Sequence, residues 1–105
     1  MSGRARRRPG ETTCYVVAYD ISNQKRWRKV FKLMKGYGRS LQLSVFHCRL
    51  DGGRRAEMAM ALERIIDATE DHVIILDLGP AEEVDFAVES LGKSFQPIER
   101  RAIVI

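Results

Sequence analysis

Apolar and polar positions alternate with two different periods along this chain, and the switches between them outline its elements. Thr12 to Asp20 reads as a strand. Tyr15, Val17 and Tyr19 point one way, and Cys14, Val16, Ala18 and Asp20 the other. Both faces are apolar except for the final acid, so both need cover. From about Asn23 to Lys35 the period becomes helical, with Trp27, Val30, Phe31 and Met34 on one stripe. Ser22 or Asn23 can cap this helix, and Gly36 and Gly38 stop it. Arg39 to Leu50 predicts a hairpin, with a short strand near Ser40 to Gln42 and a longer one from Ser44 to Leu50. Asp51-Gly52-Gly53 is a turn. A second helix from about Arg54 to Asp67 buries Met58, Leu62, Ile65 and Ile66, and His72 to Leu78 forms a fourth strand. Beyond Gly79-Pro80, the spacing of Val84, Val88 and Leu91 predicts a short helix that Gln96-Pro97 breaks. Glu99 to Ile105 then reads as a terminal apolar strand, which joins a sheet because a free edge would aggregate.

The order strand, helix, strand, strand, helix, strand is the split βαβ arrangement of the ferredoxin-like fold, in the α+β class. That fold places both helices on one face of its sheet. The first, third and fourth strands are apolar on both faces, so the open face needs another cover. A second protomer packed sheet against sheet supplies it, and the patterning predicts a homodimer. The expected organisation is a basic flexible arm over 1–11, a ferredoxin-like domain over 12–79 and an extension with a terminal strand over 80–105.

Composition narrows the picture. The chain has 105 residues, 45% of them hydrophobic, which suits one domain with a real core. A domain this small still exposes much of its surface, so dimerisation would help it. The formal net charge of +4 favours anionic partners, nucleic acid first. Cys14 and Cys48 sit in apolar runs without metal-ligand spacing, as reduced core residues would. No apolar run approaches the roughly 20 residues needed to cross a bilayer. The Arg-rich start lacks the hydrophobic segment of a secretory signal. A cytoplasmic location follows as the expectation. The arm itself reads either as a phosphate-binding tail or as a solvated extension.

Charge placement says more than charge total. Lys25, Arg26, Arg28, Lys29, Lys32 and Lys35 cover the first helix outside its core stripe. Cations in a first turn oppose the helix macrodipole, so they read either as an anion-binding end or as a soluble helix face that they merely hydrate. An anion at that end would meet free backbone N–H groups and basic side chains together. Asp20, at the exit of a buried strand beside that helix, is the outstanding acid. A strand-terminal Asp can bind Mg²⁺, and a two-fold axis beside it would make a two-carboxylate site. The plainer reading is that Asp20 closes the turn into the helix. Antiparallel pairing of the first and third strands sets Asp20 near Gln42 or Ser44, and Cys14 near Cys48. With an even register, Asp20, Ser44 and Phe46 share a face. His47 and His72 have no evident partners and read as structural. Glu57, Glu63, Asp67, Glu70 and Asp71 read as ordinary surface charge, and Glu82, Glu83, Asp85 and Glu89 as an acidic patch in the tail.

Together these residues resemble the CRISPR-associated endoribonucleases of the second adaptation-protein type. The likeness spans about Cys14 to Gly79. It rests on Val-Val-Ala-Tyr-Asp-Ile-Ser ending at Ser22, on Lys25-Arg26 and Arg28-Lys29-Val30, and on Leu41-Gln42-Leu43-Ser44-Val45-Phe46 before Cys48-Arg49-Leu50. The terminal Glu-Arg-Arg-Ala-Ile-Val-Ile is similar to the end of some members. The resemblance implies a ferredoxin-like homodimer whose C-terminal strand joins the partner's sheet. It implies Mg²⁺-dependent cleavage of RNA or double-stranded DNA, with Asp20 of both protomers holding the ion. It also implies a scaffold role, bridging dimers of the larger CRISPR adaptation integrase subunit during spacer acquisition. Tyr19, Asp20, Ser44 and Phe46 are the expected catalytic group, and Lys25, Arg26, Arg28, Lys29 and Arg39 the expected nucleic-acid contacts. The chain departs from many members at Ser40, which stands in place of an Arg with Arg39 one step earlier. It departs also at Leu43, in place of an aromatic, and at Asn23, in place of an acid. Two other functions fit the same pattern: a non-catalytic nucleic-acid scaffold, or an unrelated ferredoxin-like ligand-binding module.

Overall fold

The computed structural model describes residues 10–92. Within them the order is β1 (Thr13–Asp20), α1 (Gln24–Met34), β2 (Gly38–Gln42), β3 (Val45–Leu50), α2 (Gly52–Ile65) and β4 (His72–Pro80). All neighbouring strands pair antiparallel, in the order β2-β3-β1-β4. This is the expected ferredoxin-like α+β arrangement. The proposed basic arm, apart from its last two residues, and the terminal strand from Glu99 lie outside the described residues.

One face of the sheet carries the core. Tyr15, Val17 and Tyr19 of β1 and Phe46, Cys48 and Leu50 of β3 meet Val30, Phe31 and Met34 of α1 and Met58 and Leu62 of α2. Phe31 joins the layers: its ring lies 5.2 Å from Trp27 and meets Phe46 edge-on at 5.5 Å. Both helices start on side-chain caps, with the Arg26 N–H donating to Asn23 Oδ1 and the Arg54 N–H to Asp51 Oδ1, each at 2.8 Å. Gly38 is required where β2 begins, because a Cβ there would stand 2.5 Å from both Cys48 Sγ and the His47 carbonyl.

The register decides which side chains share a face. Val17 pairs with Phe46 and Ala18 with Val45. Phe46 therefore points with Val17 into the core, while Asp20 points the other way, so the two do not share a surface. Burying the largest ring of β3 outweighs any alternative, since a one-residue slip would turn Phe46 to the open face. The cysteines are also less close than expected. Cys14 pairs with Arg49 and Tyr15 with Cys48, so alternation along the two strands puts the thiols on opposite faces. Both are free and buried.

The open face carries Val16, Ala18 and Val45, with Ile74 and Leu76 of β4 exposed by 45% and 50%. Leu78, at the irregularity where the β1–β4 ladder skips a residue, is also exposed. After a 3-10 turn at Ala81–Glu83, residues 84–92 are irregular. The short helix expected through Val84, Val88 and Leu91 does not form. So few residues cannot hold a helix without a packing face, and Val88 and Leu91 remain exposed. Phe86 takes the contact instead, its ring edge-on to His47 at 4.8 Å.

Candidate active site

Asp20 ends β1 exposed, on the face away from the helices. Among the described residues its carboxylate has no hydrogen bond or ion pair. It does not close the turn into α1. Asp71 performs that task, although its position in the sequence suggests mere surface charge. Its side chain is wholly buried. It accepts from Arg26 Nε at 2.7 Å and Arg26 Nη2 at 3.1 Å, from the Ser22 N–H at 3.1 Å and Ser22 Oγ at 3.4 Å, and from the Asp67 N–H at 2.8 Å. The Arg26 guanidinium foremost holds the Asp71 carboxyl well below the usual carboxylate range, against the opposing effect of burial.

Tyr19, Ser44 and Phe46 come together beneath this strand end, on the core side. The buried Tyr19 donates its hydroxyl to the Leu43 carbonyl at 2.8 Å, and burial pushes its phenol far above the ordinary value. It is therefore a neutral anchor for the turn between β2 and β3. Ser44 accepts from Trp27 Nε1 at 3.2 Å through its hydroxyl, and its carbonyl accepts from the Tyr19 N–H at 3.0 Å. Phe46 is fully buried, 6.3 Å from the Tyr19 ring and stacked on it. These three support the end of β1 from below: Tyr19 and Phe46 are buried, Ser44 is half-buried and Asp20 is exposed.

The five expected nucleic-acid contacts also separate. Lys25, Arg28 and Lys29 are exposed on α1. Arg26 is turned inward to Asp71, which occupies its guanidinium. Arg39 pairs with His47 across β2 and β3 and lies on the open face, away from the helix layer. There burial first, and then the charges of Arg39 and Arg49, push the His47 pKa below its ordinary value. The Nε2 of His47 is buried with no hydrogen-bond partner among the described residues. Sequence reasoning missed the Asp71 clamp and the position of His72, the strand partner of Asp20 in β4. Only the pairing of distant segments brings them in, and no local spacing signals it.

The donor chemistry of Asp20 fits a hard divalent cation: an ionisable oxygen ligand, exposed and uncommitted. No cluster of three or more His, Cys, Asp or Glu able to hold a metal occurs among the described residues. One protomer thus supplies few protein ligands, and a second copy across the open face would double them.

Known proteins are similar to this chain in sequence and in architecture. The chain is 65% identical over 99 residues to a Rhodospirillum rubrum protein named CRISPR-associated endoribonuclease Cas2 1, covering 94% of this chain and 97% of that one. It is 56% identical over 91 residues to the CRISPR-associated endoribonuclease Cas2 of Geobacter sulfurreducens, covering 87% and 96%. The crystal structure of Streptococcus pyogenes Cas2 superposes with a TM-score of 0.67 at 32% identity, covering 75% of this chain and 99% of that one. The family described as CRISPR associated protein Cas2 matches residues 13–84, from the start of β1 through the 3-10 turn. With the strand ending at Asp20, the basic α1 and the sheet order all inside that match, the chain belongs to the Cas2 family.

Proposed function

We propose that this protein is a Mg²⁺-dependent endonuclease that hydrolyses phosphodiesters of RNA or double-stranded DNA, working as a homodimer in CRISPR adaptation. One observation carries the reading: Asp20 is a carboxylate with no partner among the described residues, at the rim of an apolar sheet face that those residues leave largely open. A second copy seated on that face brings two Asp20 carboxylates to one place. Like charges that close repel, and a divalent cation between them relieves the repulsion. Asp20 of each protomer would hold the metal, which would supply Lewis-acid stabilisation of phosphoryl charge and activation of water.

The chain's own residues do the rest. Tyr19, Ser44 and Phe46 fix the end of β1 from the core side, and the Asp71–Arg26 pair fixes the turn after it. Asp20 is thereby held in one position. Lys25, Arg28 and Lys29 on the adjoining helix offer cations to the phosphate backbone, with little base selectivity. The names of the relatives support nuclease chemistry. The same cations suit the scaffold role, in which the dimer assembles with the larger adaptation integrase subunit and holds the DNA to be inserted. No described helix is long and apolar enough to cross a membrane.

Cleavage of RNA and duplex DNA by the purified protein, with Mg²⁺ or with a chelator, tests the reading. The wild type should cleave only with metal, and Asp20→Asn should lose at least about a hundredfold in rate, because it removes a metal-ligand charge. Equal cleavage by Asp20→Asn would sink the nuclease assignment. Nucleic-acid binding without any cleavage by the wild type would favour the scaffold alone.

A further inference from the structure

The β1–β4 ladder sets His72 directly opposite Asp20. Their neighbours Tyr19 and Val73 pack into or against the core, so alternation turns Asp20 and His72 together to the open face, where both are exposed. Residues opposed in this way hold their Cβ atoms about 4.5–5.5 Å apart. A carboxylate and an imidazole at that spacing can reach a common ion.

The Asp71 clamp fixes this juxtaposition. Asp71 immediately precedes His72, and Ser22 lies two residues past Asp20. The hydrogen bonds from the Ser22 N–H and Arg26 to the buried Asp71 carboxylate therefore tie the exit of β1 to the entry of β4. Strand ends usually fray, yet this one is locked beside the two side chains. Supporting groups of this kind set the position of metal ligands, and their loss typically weakens a site tenfold or more.

We propose that His72 is a metal ligand beside Asp20, so that each protomer presents one carboxylate oxygen and one imidazole nitrogen to the cation. The inference rests on the reading of Asp20 as the metal-holding residue. It has a consequence for metal choice. Mg²⁺ takes oxygen donors, whereas Mn²⁺ accepts oxygen and imidazole nitrogen alike. The nitrogen of His72 thus lets the site take Mn²⁺ as well as Mg²⁺, which makes Mn²⁺ a usable probe of it.

Tag-free protein loaded with Mn²⁺ tests this by pulsed electron paramagnetic resonance, which detects nitrogen coupled to the metal, together with calorimetric Mn²⁺ titration. His72 is exposed at a strand start, so His72→Ala should keep the fold, as a circular dichroism spectrum will show. Nitrogen coupling is expected in the wild type and absent in His72→Ala, with Mn²⁺ affinity down about tenfold. The chain's other histidine, His47, serves as the internal control, since coupling from it would survive the substitution. Coupling that persists in His72→Ala, or that is missing from the wild type, overturns the inference. If Asp20→Asn still abolishes Mn²⁺ binding in that case, the Asp20 site stands without His72. If Asp20→Asn leaves Mn²⁺ binding unchanged, the Asp20 reading fails and this inference falls with it.

Discussion

At the junction of β1 and α1, Asp71 gathers donors from Ser22, Arg26 and Asp67, and the position of Asp20 depends on that knot. Arg26 is one of six cations on the first helix in the sequence, yet its guanidinium is spent on a buried carboxylate, and Lys35 lies over the buried Phe31 ring, while Lys25, Arg28, Lys29 and Lys32 are exposed. Removing either side of the pair leaves the other without its charge partner. Asp71→Ala and Arg26→Ala should each lower the melting temperature by roughly 5 °C or more. The double variant should melt close to the worse single one, because both remove one interaction. Additive losses would show that the two side chains act separately. The effect also has a definite pH dependence. The folded Asp71 carboxyl lies below the ordinary value of about 3.9, so its contribution is complete above that value and fades as acid titrates the folded form. The gap between wild type and Asp71→Ala should hold from neutral pH to about pH 5 and close in stronger acid. None of this is legible locally. Asp71 and Arg26 are 45 residues apart, and an acid in a loop before a strand looks like solvated charge until the segments meet.

At the scale of elements, the periods in the chain predict nearly all that forms. Strand and helix announce themselves by which positions are apolar, and Asn23 caps α1 where its period begins, whereas Asp51, read as part of a turn, caps an α2 that starts at Gly52 rather than Arg54. What the period leaves open is which face of one strand meets which face of the next. That is why Phe46 and Asp20 part company: their relation depends on register, and register depends on a core that only exists once α1 is docked. The tail shows the reverse failure. Val84, Val88 and Leu91 have helical spacing, but a stripe predicts a helix only where something covers it. On α1 the exposed cations lie opposite the core stripe, free of internal partners that would explain them by stability. Arg28→Glu with Lys29→Glu should leave the fold intact and weaken nucleic-acid binding. The dependence of the logarithm of affinity on the logarithm of salt should flatten by about one unit for each lost phosphate contact. An unchanged salt slope would move the nucleic acid to another surface.

The described residues present two sides of different character, one packed under helices and one apolar and largely open. Large side chains such as Ile74 and Leu76, half exposed on the flat of a sheet, form the kind of patch that marks an interface. A face-to-face copy would bury it and align the two Asp20 rims around the same axis. Leu76→Lys puts a charge in the middle of that contact and should weaken dimerisation on the order of a hundredfold, seen as monomer mass in dilute solution. A wild type that is monomeric throughout would contradict the pairing and the shared site together. The most direct measurement uses a mixed dimer with one wild-type and one Asp20→Asn subunit, purified through two different tags and assayed with Mg²⁺ before subunits exchange. If the two Asp20 carboxylates hold one metal, cleavage by the mixed dimer should fall nearly to that of the doubly substituted protein. Retention of half the wild-type activity would mean that each protomer works alone, contrary to this account.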